Sequence, residues 1–272
     1  MKFKMNASST LLAAFFAVMI LPGIATANHS WNNYHWARRT NPFTLKVVDS
    51  NTPDWDSELN FAMSDWSGSS VLNMVDGAFD DAARTRKRCV MVSGQVRSCN
   101  ASYGFNGWLG LASINISGSH ITQGSSKMND SYFSDSTRYG PIARRHVMCQ
   151  EIGHTLGLGH TSEDGTDQNT CMDYSNDLGN PSPNQHDKDQ LASIYAHLDS
   201  TTTVGFSAFV VNEFGDDPDA AHNWGRLVSQ SANGRSSYYL RENMNGTKKA
   251  THVFWTQEAA DRCHGCDHRY DH

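Results

Sequence analysis

The sequence predicts an α+β fold followed by a small β-rich extension. Three observations support this prediction: an alternating stretch at 43–48, two helical segments at 141–156 and 186–198, and several short β-like runs after residue 200. The chain has 272 residues, of which 38% are hydrophobic and 18% are charged, as is typical of a globular protein. This length is enough for one domain of ordinary size plus an extension.

The first hundred residues predict two strands and one helix. Residues 43–48 alternate in hydrophobicity, 54–67 carry apolar side chains at helical spacing, and 71–75 form a second apolar run. The segment 84–99 is basic and rich in turn-forming residues. It therefore predicts a loop or a hairpin.

The next segments predict a hairpin and two helices. Residues 107–116 and 120–128 are β-like and are separated by a short Ser-Gly-Ser turn, which indicates a β-hairpin. The helix predicted over 141–156 has a proline in its first turn and a glycine directly after it, and both residues favour those positions. The second helix, over 186–198, has one apolar face.

The N-terminus predicts a processing segment. Lys2 and Lys4 precede an apolar run over 11–20, and the small residues of 25–27 make an A-x-A cleavage site. The alternative is an uncleaved membrane anchor, but the apolar run is short for a span. We therefore expect 1–27 to be a signal peptide and the mature protein to be secreted, or periplasmic in a bacterium.

The mature chain is expected to divide at residue 199. Residues 28–199 hold the predicted sheet and helices, and 200–272 form the β-rich extension. The formal net charge is −6, which argues against nucleic acid as the main partner because phosphate binding needs a basic surface. No segment after the signal peptide is apolar for long enough to span a membrane. We expect a monomer.

The cysteines predict disulfide bonds, because an even number occurs in a chain that is expected to be exported. Sequence proximity favours three pairs: Cys89 with Cys99, Cys149 with Cys171, and Cys263 with Cys266. The last pair forms a C-x-x-C sequence with His268 close behind it. A metal clip or a redox motif is therefore the alternative for that pair.

The segment 150–160 carries the residues that predict chemistry. Gln150 and His154 are four apart on the predicted helix, so their side chains lie on one face and can bind one metal ion. Glu151 lies beside them, within reach of a water on that ion. Gly157 ends the helix, and His160 can then return as a third ligand. Three protein ligands leave a position open for water, as a catalytic zinc site requires.

This segment resembles the metzincin signature H-E-x-x-H-x-x-G-x-x-H, and its local sequence is most similar to the matrixin branch. The resemblance implies a zinc-dependent endopeptidase with Glu151 as the general base. It also implies a twisted mixed sheet, a metal-site helix, a closing helix and a Met-turn. Cys171-Met172-Asp173-Tyr174 is similar to that turn. Met172 would lie beneath the metal, and Tyr174 is a candidate catalytic residue. Disulfide pairing of Cys149 with Cys171 would tie the metal helix to the turn.

The resemblance departs from the signature at its first position, where Gln150 replaces histidine. An amide oxygen is a poorer zinc ligand than an imidazole. Three alternatives follow: Gln150 binds through its oxygen, His146 substitutes from one turn earlier, or the site is inactive and the chain is a binding protein. The presence of Glu151 favours activity, because an unpaired carboxylate in a cleft is costly.

Other candidates are weaker. His120, His146, His186 and His197 are expected to be surface or packed histidines. Structural Ca²⁺ is conceivable in the oxygen-rich segment 164–169, but that segment lacks the EF-hand pattern and is expected to be a solvated loop. A protein or peptide substrate is expected to add as a strand to the edge formed by 107–116.

Overall fold

The computed structural model describes residue 1 and residues 29–162, 166–173, 177–205, 220–263 and 265–270. Apart from Met1, the predicted signal peptide lies outside the described residues. The β-like run at 206–211 and the predicted catalytic residue Tyr174 also lie outside them.

The described part of the chain forms strands and helices in the following order. The strands are β1 (His35–Trp36), β2 (Phe43–Ser50), β3 (Leu72–Phe79), β4 (Val96–Ala101), β5 (Trp108–Ser117), β6 (His120–Asn129), β7 (Arg226–Gln230), β8 (Ser236–Glu242) and β9 (Thr247–Trp255). The helices are α1 (Asp56–Ser67), α2 (Ala83–Arg88), α3 (Asp130–Phe133), α4 (Pro141–Thr155), α5 (Gln185–Ile194) and α6 (Gln257–Arg262).

These strands build one mixed sheet in the order β3-β2-β4-β6-β5-β9-β8-β7. The pairs among β3, β2, β4 and β6 are parallel, whereas β5 is antiparallel to both of its neighbours. The short strand β1 pairs in parallel with the start of β6. The β-rich extension therefore continues the sheet of the first part, so the expected boundary near residue 199 is not a break in the sheet.

Most predicted elements occur at or near their expected positions. The segment 84–99 is the exception, because it forms α2 and β4 instead of a loop or a hairpin. Cys89 ends α2 in the left-handed region at φ 46°, and its disulfide bond to Cys99 ties the helix to β4. The other two predicted disulfide pairs, Cys149–Cys171 and Cys263–Cys266, are also present.

Buried aromatic side chains fix α4 between the sheet and the helices. Trp66 from α1 donates to the carbonyl of Cys149 at 3.0 Å, and Trp36 donates to the carbonyl of Thr155 at 3.0 Å. The hydroxyl of Tyr195 donates to the carbonyl of Leu156 at 3.0 Å. The three aromatic side chains are fully buried. Each contributes about 2–3 kcal/mol through apolar burial, so the helix that carries the candidate site is held rigidly.

A second apolar cluster joins the extension to β5. Trp108 and Leu111 of β5 pack with Tyr239, Val253 and Trp255 from β8 and β9. Further residues of β8 and β9, namely Leu240, Ala250 and Phe254, belong to the main core. The extension therefore shares its core with the rest of the chain.

Gly157 allows the chain to leave α4 and return toward the site. Its φ is 92°, and a Cβ atom there would lie 2.0 Å from the carbonyl oxygen of Tyr34. We expect Gly157→Ala to destabilise the fold by more than about 1 kcal/mol, because the substitution adds both backbone strain and a clash. Chemical denaturation measures this change. Gly118→Ala is the matched control, since Gly118 also has positive φ but open space around it. Equal losses for the two variants would contradict the clash.

In the part of the chain that the structure describes, none of the helices combines the length and the hydrophobicity that a membrane span requires.

Candidate metal centre

The helix α4 brings the predicted site residues into the interior. Gln150, Glu151 and His154 have no solvent-exposed surface, and His160 is 8% exposed. Pro141 occupies the first turn of the helix, where its missing N–H is tolerated. The turn at Gly157 then carries the chain back, so that the rings of His154 and His160 lie 4.5 Å apart between centroids.

A third imidazole joins these two. His252 lies on β9, and its ring centroid is 3.9 Å from that of His154 and 4.8 Å from that of His160. One potential ligand atom from each of the three side chains lies within 4.8 Å of the others. His252 was not among the residues predicted from the sequence, because only the pairing of β9 with β5 brings it to the site. Its position within a short β-like run gave no signal of its own.

His154 is oriented for metal binding. Its Nδ1 lies 2.9 Å from the carbonyl oxygen of Leu158, which can only accept, so Nδ1 carries the proton. The Nε2 lone pair is buried and has no hydrogen-bond partner. Trp31 stacks on the same imidazole, with 4.8 Å between ring centroids. A backbone acceptor on Nδ1 is the usual support for a histidine that binds metal through Nε2.

Gln150 is also held in one orientation. Its amide nitrogen donates to the carbonyl of Cys171 at 2.8 Å and to that of Asp173 at 3.3 Å. These bonds tie α4 to the predicted Met-turn and identify the other amide atom as oxygen. That oxygen, Oε1, is buried without a hydrogen-bond partner. A buried unsatisfied acceptor is costly, and a nearby cation or a water would relieve that cost.

Glu151 contacts the extension directly. Its Oε2 is hydrogen-bonded to His252 Nδ1 at 3.0 Å, whereas its Oε1 is buried without a hydrogen-bond partner. Nε2 of His252 is hydrogen-bonded to Ser236 Oγ at 2.7 Å. Burial raises the pKa of Glu151 and lowers the pKa of His252 to about 3, because the interior disfavours both charges. A divalent cation at this point would favour the carboxylate form of Glu151.

Met172 packs beneath α4. A Cβ atom on Gly153 would lie 2.6 Å from the sulfur of Met172, so the absence of a side chain at Gly153 permits this contact. The backbone N–H of Thr161 donates to the carbonyl of Met172 at 2.8 Å. The disulfide bond Cys149–Cys171 fixes the same turn to the helix. Met172 is therefore buried against α4, and its place beneath a metal ion stays a prediction.

His146 does not join the three imidazoles. Its Nδ1 lies 2.8 Å from the carbonyl oxygen of Asn180, and its ring stacks on Phe254. It is fully buried, which lowers its pKa to about 4. His146 therefore packs in the core, as expected, and does not substitute for the missing first histidine of the motif.

The donor set fits a divalent transition cation. Three neutral imidazoles suit zinc, and burial lowers the pKa of His154 and His160, which keeps both rings unprotonated. The Oε1 atoms of Gln150 and Glu151 are buried without hydrogen-bond partners, and Oε2 of Glu151 contacts His252. An apolar core would not provide such a set. These residues fit Zn²⁺, whereas nothing in the described part of segment 164–169 points to Ca²⁺.

The prediction of a free edge on β5 is wrong. β9 pairs antiparallel with β5 from Trp108↔Trp255 to Ser117↔Thr247. The backbone groups that an added peptide strand would use are therefore occupied by the chain itself. The sequence did not reveal this, because the β-like runs of the extension give no information on which strand they pair with.

A cavity gives access to two of the three imidazoles, those of His160 and His252, from another side. It has a volume of about 250 Å³ and is lined by Trp31, Tyr238, His160 and His252, among others. Its walls come from the segment before β1, from the turn after α4 and from β7, β8 and β9. This cavity reaches the candidate centre without crossing the β5–β9 pairing.

No protein-family model and no curated protein sequence matches the chain. Among solved structures, it is similar to the high choriolytic enzyme 1, a hatching enzyme zinc-protease from the medaka fish Oryzias latipes. The sequence identity is 13%, the TM-score is 0.33, and the alignment covers 61% of this chain and 96% of that one. A likeness of this size does not assign the chain to a family.

Proposed function

We propose that this protein is an exported zinc-dependent endopeptidase with Glu151 as its general base. The observation that carries the proposal is the convergence of His154, His160 and His252 beside the buried carboxyl group of Glu151. Three imidazoles are a donor set that binds zinc and leaves a position for water. Zinc in such a site lowers the pKa of a water and polarises a carbonyl group.

Glu151 performs the proton transfers in this proposal. Its Oε1 has no hydrogen-bond partner and is available to take a proton from the attacking water. The same carboxyl group then passes the proton to the leaving amine. The hydrogen bond between Oε2 and His252 Nδ1 holds the carboxyl group in place. To bind the ion, His252 would use Nε2 and give up its hydrogen bond to Ser236 Oγ.

Gln150 is proposed to act through its amide oxygen. The two bonds from its nitrogen to the Met-turn fix Oε1, which either binds the ion as a further ligand or accepts a hydrogen bond from the water. Catalytic zinc accommodates five ligands, so both roles are compatible with turnover. In this proposal His252 takes the place of the histidine that the motif lacks. Tyr174 stays a proposed catalytic residue.

The substrate is proposed to be a protein or peptide that enters through the cavity beside Trp31 and Tyr238. The usual route for an extended peptide, along the β5 edge, is closed by β9. The walls of the cavity, including β7 and β8, would then determine which residues beside the cleaved bond are accepted.

A non-catalytic binding protein of the same fold is the second candidate. Two observations favour it: the β5 edge is occupied, and Glu151 is fully buried with one oxygen bound to His252. In that case the metal centre would be structural.

Cleavage of an unstructured protein by zinc-loaded wild type and Glu151→Gln separates the two candidates. We expect Glu151→Gln to lower kcat by about 100-fold or more, because the general base is lost, while zinc stays bound. Glu242→Gln is the matched control, since Glu242 lies on β8 with its side chain 56% exposed. If folded, zinc-loaded wild type cleaves none of several substrates, the peptidase proposal fails and the binding protein replaces it.

A further inference from the structure

Three histidines converge on one carboxylate oxygen where β1 meets β6 and the segment after α5. Asp199 Oδ1 lies 3.4 Å from His35 Nε2, 3.2 Å from His120 Nε2 and 3.6 Å from His197 Nε2. The Nε2 atoms of His35 and His197 are 3.2 Å apart. None of these four residues belongs to the centre around His154.

These distances match those between the ligands of a tetrahedral metal ion. Zinc binds histidine nitrogen and carboxylate oxygen at about 2.0–2.2 Å, so the ligand atoms of a tetrahedral site lie about 3.3 Å apart. Four of the six separations among these ligand atoms range from 3.2 to 3.6 Å, and the atoms of His35, His120 and Asp199 all lie within 4.8 Å of one another. These four separations are compatible with one bound ion, around which the partly exposed side chains of His120 and His197 would adjust.

Neighbouring groups orient two of the four side chains. His35 Nδ1 lies 2.8 Å from the carbonyl oxygen of Asn33, which can only accept, so Nδ1 carries a proton. Neutral His35 then presents an Nε2 lone pair to the cluster. Arg38 binds the other oxygen of Asp199, Oδ2, at 2.9 Å. Oδ1 of Asp199, which faces the histidines, is thereby left for a cation. A hydrogen bond to the second oxygen of a carboxylate is usual where that carboxylate binds a metal.

Without a cation, the cluster holds more hydrogen-bond acceptors than neutral histidines can satisfy. In neutral His35 the Nε2 lone pair faces both the Oδ1 atom of Asp199 and the Nε2 atom of His197. A proton on Nε2 of His197 would satisfy the contact between the two rings but not the contact with Asp199. A divalent cation satisfies all three imidazoles and the carboxylate together.

We propose that His35, His120, His197 and Asp199 bind a second zinc ion, or a divalent transition cation of similar preference. Four protein ligands leave no position for substrate, which is the composition of a structural site. The ion would fasten β1 to β6 and to the segment that follows α5. The side chains of His120 and His197 are 33% and 54% exposed, so the ion has a route of entry.

Zinc content per folded chain tests this proposal. We expect the double variant His120→Ala/His197→Ala to bind one zinc ion fewer than wild type, measured by elemental analysis after dialysis against a weak chelator. His222→Ala is the control, because His222 is an exposed histidine outside the cluster, and it should retain the wild-type content. Because the measured quantity is the difference in zinc content from wild type, the test is valid whether or not zinc occupies the centre around His154. An unchanged zinc content in the double variant would overturn the proposal.

Thermal unfolding gives an independent second readout. Zinc added to the metal-free wild type should raise Tm, since a ligand that binds only the folded state stabilises it. His154→Ala should keep a zinc-dependent rise in Tm that comes from the second site. Adding His197→Ala to that background should abolish the rise, and persistence of the full rise would exclude the site. The side chain of His197 is more than half exposed, so this substitution should leave the fold intact.

Discussion

His252→Ala is expected to weaken zinc binding at the candidate metal centre by at least about 100-fold and to abolish peptide hydrolysis with it. Changing a group that only supports a ligand already weakens metal binding by about 10- to 100-fold, and removal of a ligand costs more. His252 is also bonded to Glu151, so its loss frees the carboxyl group that is proposed as the base. Zinc affinity measured by competition with a chromogenic chelator gives the first quantity, and cleavage of an unstructured protein gives the second.

A matched variant separates metal binding from general destabilisation. His268→Ala removes another buried histidine of the extension, whose Nε2 lies 3.2 Å from the carbonyl oxygen of Gly234 and outside the centre. This variant should lose some stability but keep its zinc affinity. If His252→Ala binds zinc as tightly as His268→Ala does, His252 is not a ligand.

Restoration of the motif gives a sharper test of the same idea. In the His252→Ala background, Gln150→His supplies an imidazole four residues before His154, as the full motif would. We expect this double variant to bind zinc more tightly than His252→Ala alone. The recovery should be partial, because the new side chain gives up at least one of the two bonds from Gln150 to the Met-turn.

Local signals explain which parts of the molecule the sequence predicted. The helix α4 is indicated by signals within one short segment, namely its apolar spacing, Pro141 in the first turn and Gly157 after the end. It forms at the position that these signals predict. The same holds for the hairpin β5–β6, whose turn lies between the two strands. The neighbouring cysteines also pair as expected.

The remaining features depend on contacts between distant segments. His252 reaches Glu151 over a sequence separation of 101 residues, because β9 pairs with β5. Asp199 meets His35 over a separation of 164 residues. Hydrophobic alternation shows that a strand forms but not which strand it pairs with. The sequence therefore revealed neither the place of His252 in the first centre nor the cluster around Asp199.

Removal of the extension, by ending the chain at Gly205, is expected to unfold the protein. Phe254 and Leu240 pack in the main core, and Trp255, Val253 and Tyr239 pack against β5. Loss of about 2 kcal/mol for each of these buried side chains amounts to roughly 10 kcal/mol, which is as large as the whole stability of a typical domain. Far-ultraviolet circular dichroism and thermal unfolding of the shortened chain measure the result.

A point variant tests the same coupling without deletion. Trp255 is fully buried, and its indole nitrogen donates to Ser237 Oγ at 2.9 Å. Trp255→Ala in the full chain should lower the free energy of unfolding by about 3–5 kcal/mol, because it leaves a large cavity between β5 and α6. Met244→Ala, in the exposed turn between β8 and β9, should change it by less than about 0.5 kcal/mol.

A cooperatively folded shortened chain together with a mild effect at Trp255 would show that the extension folds as a separate unit. A large loss in both would instead mean that the strand carrying His252 is required for the fold as well as for the metal centre.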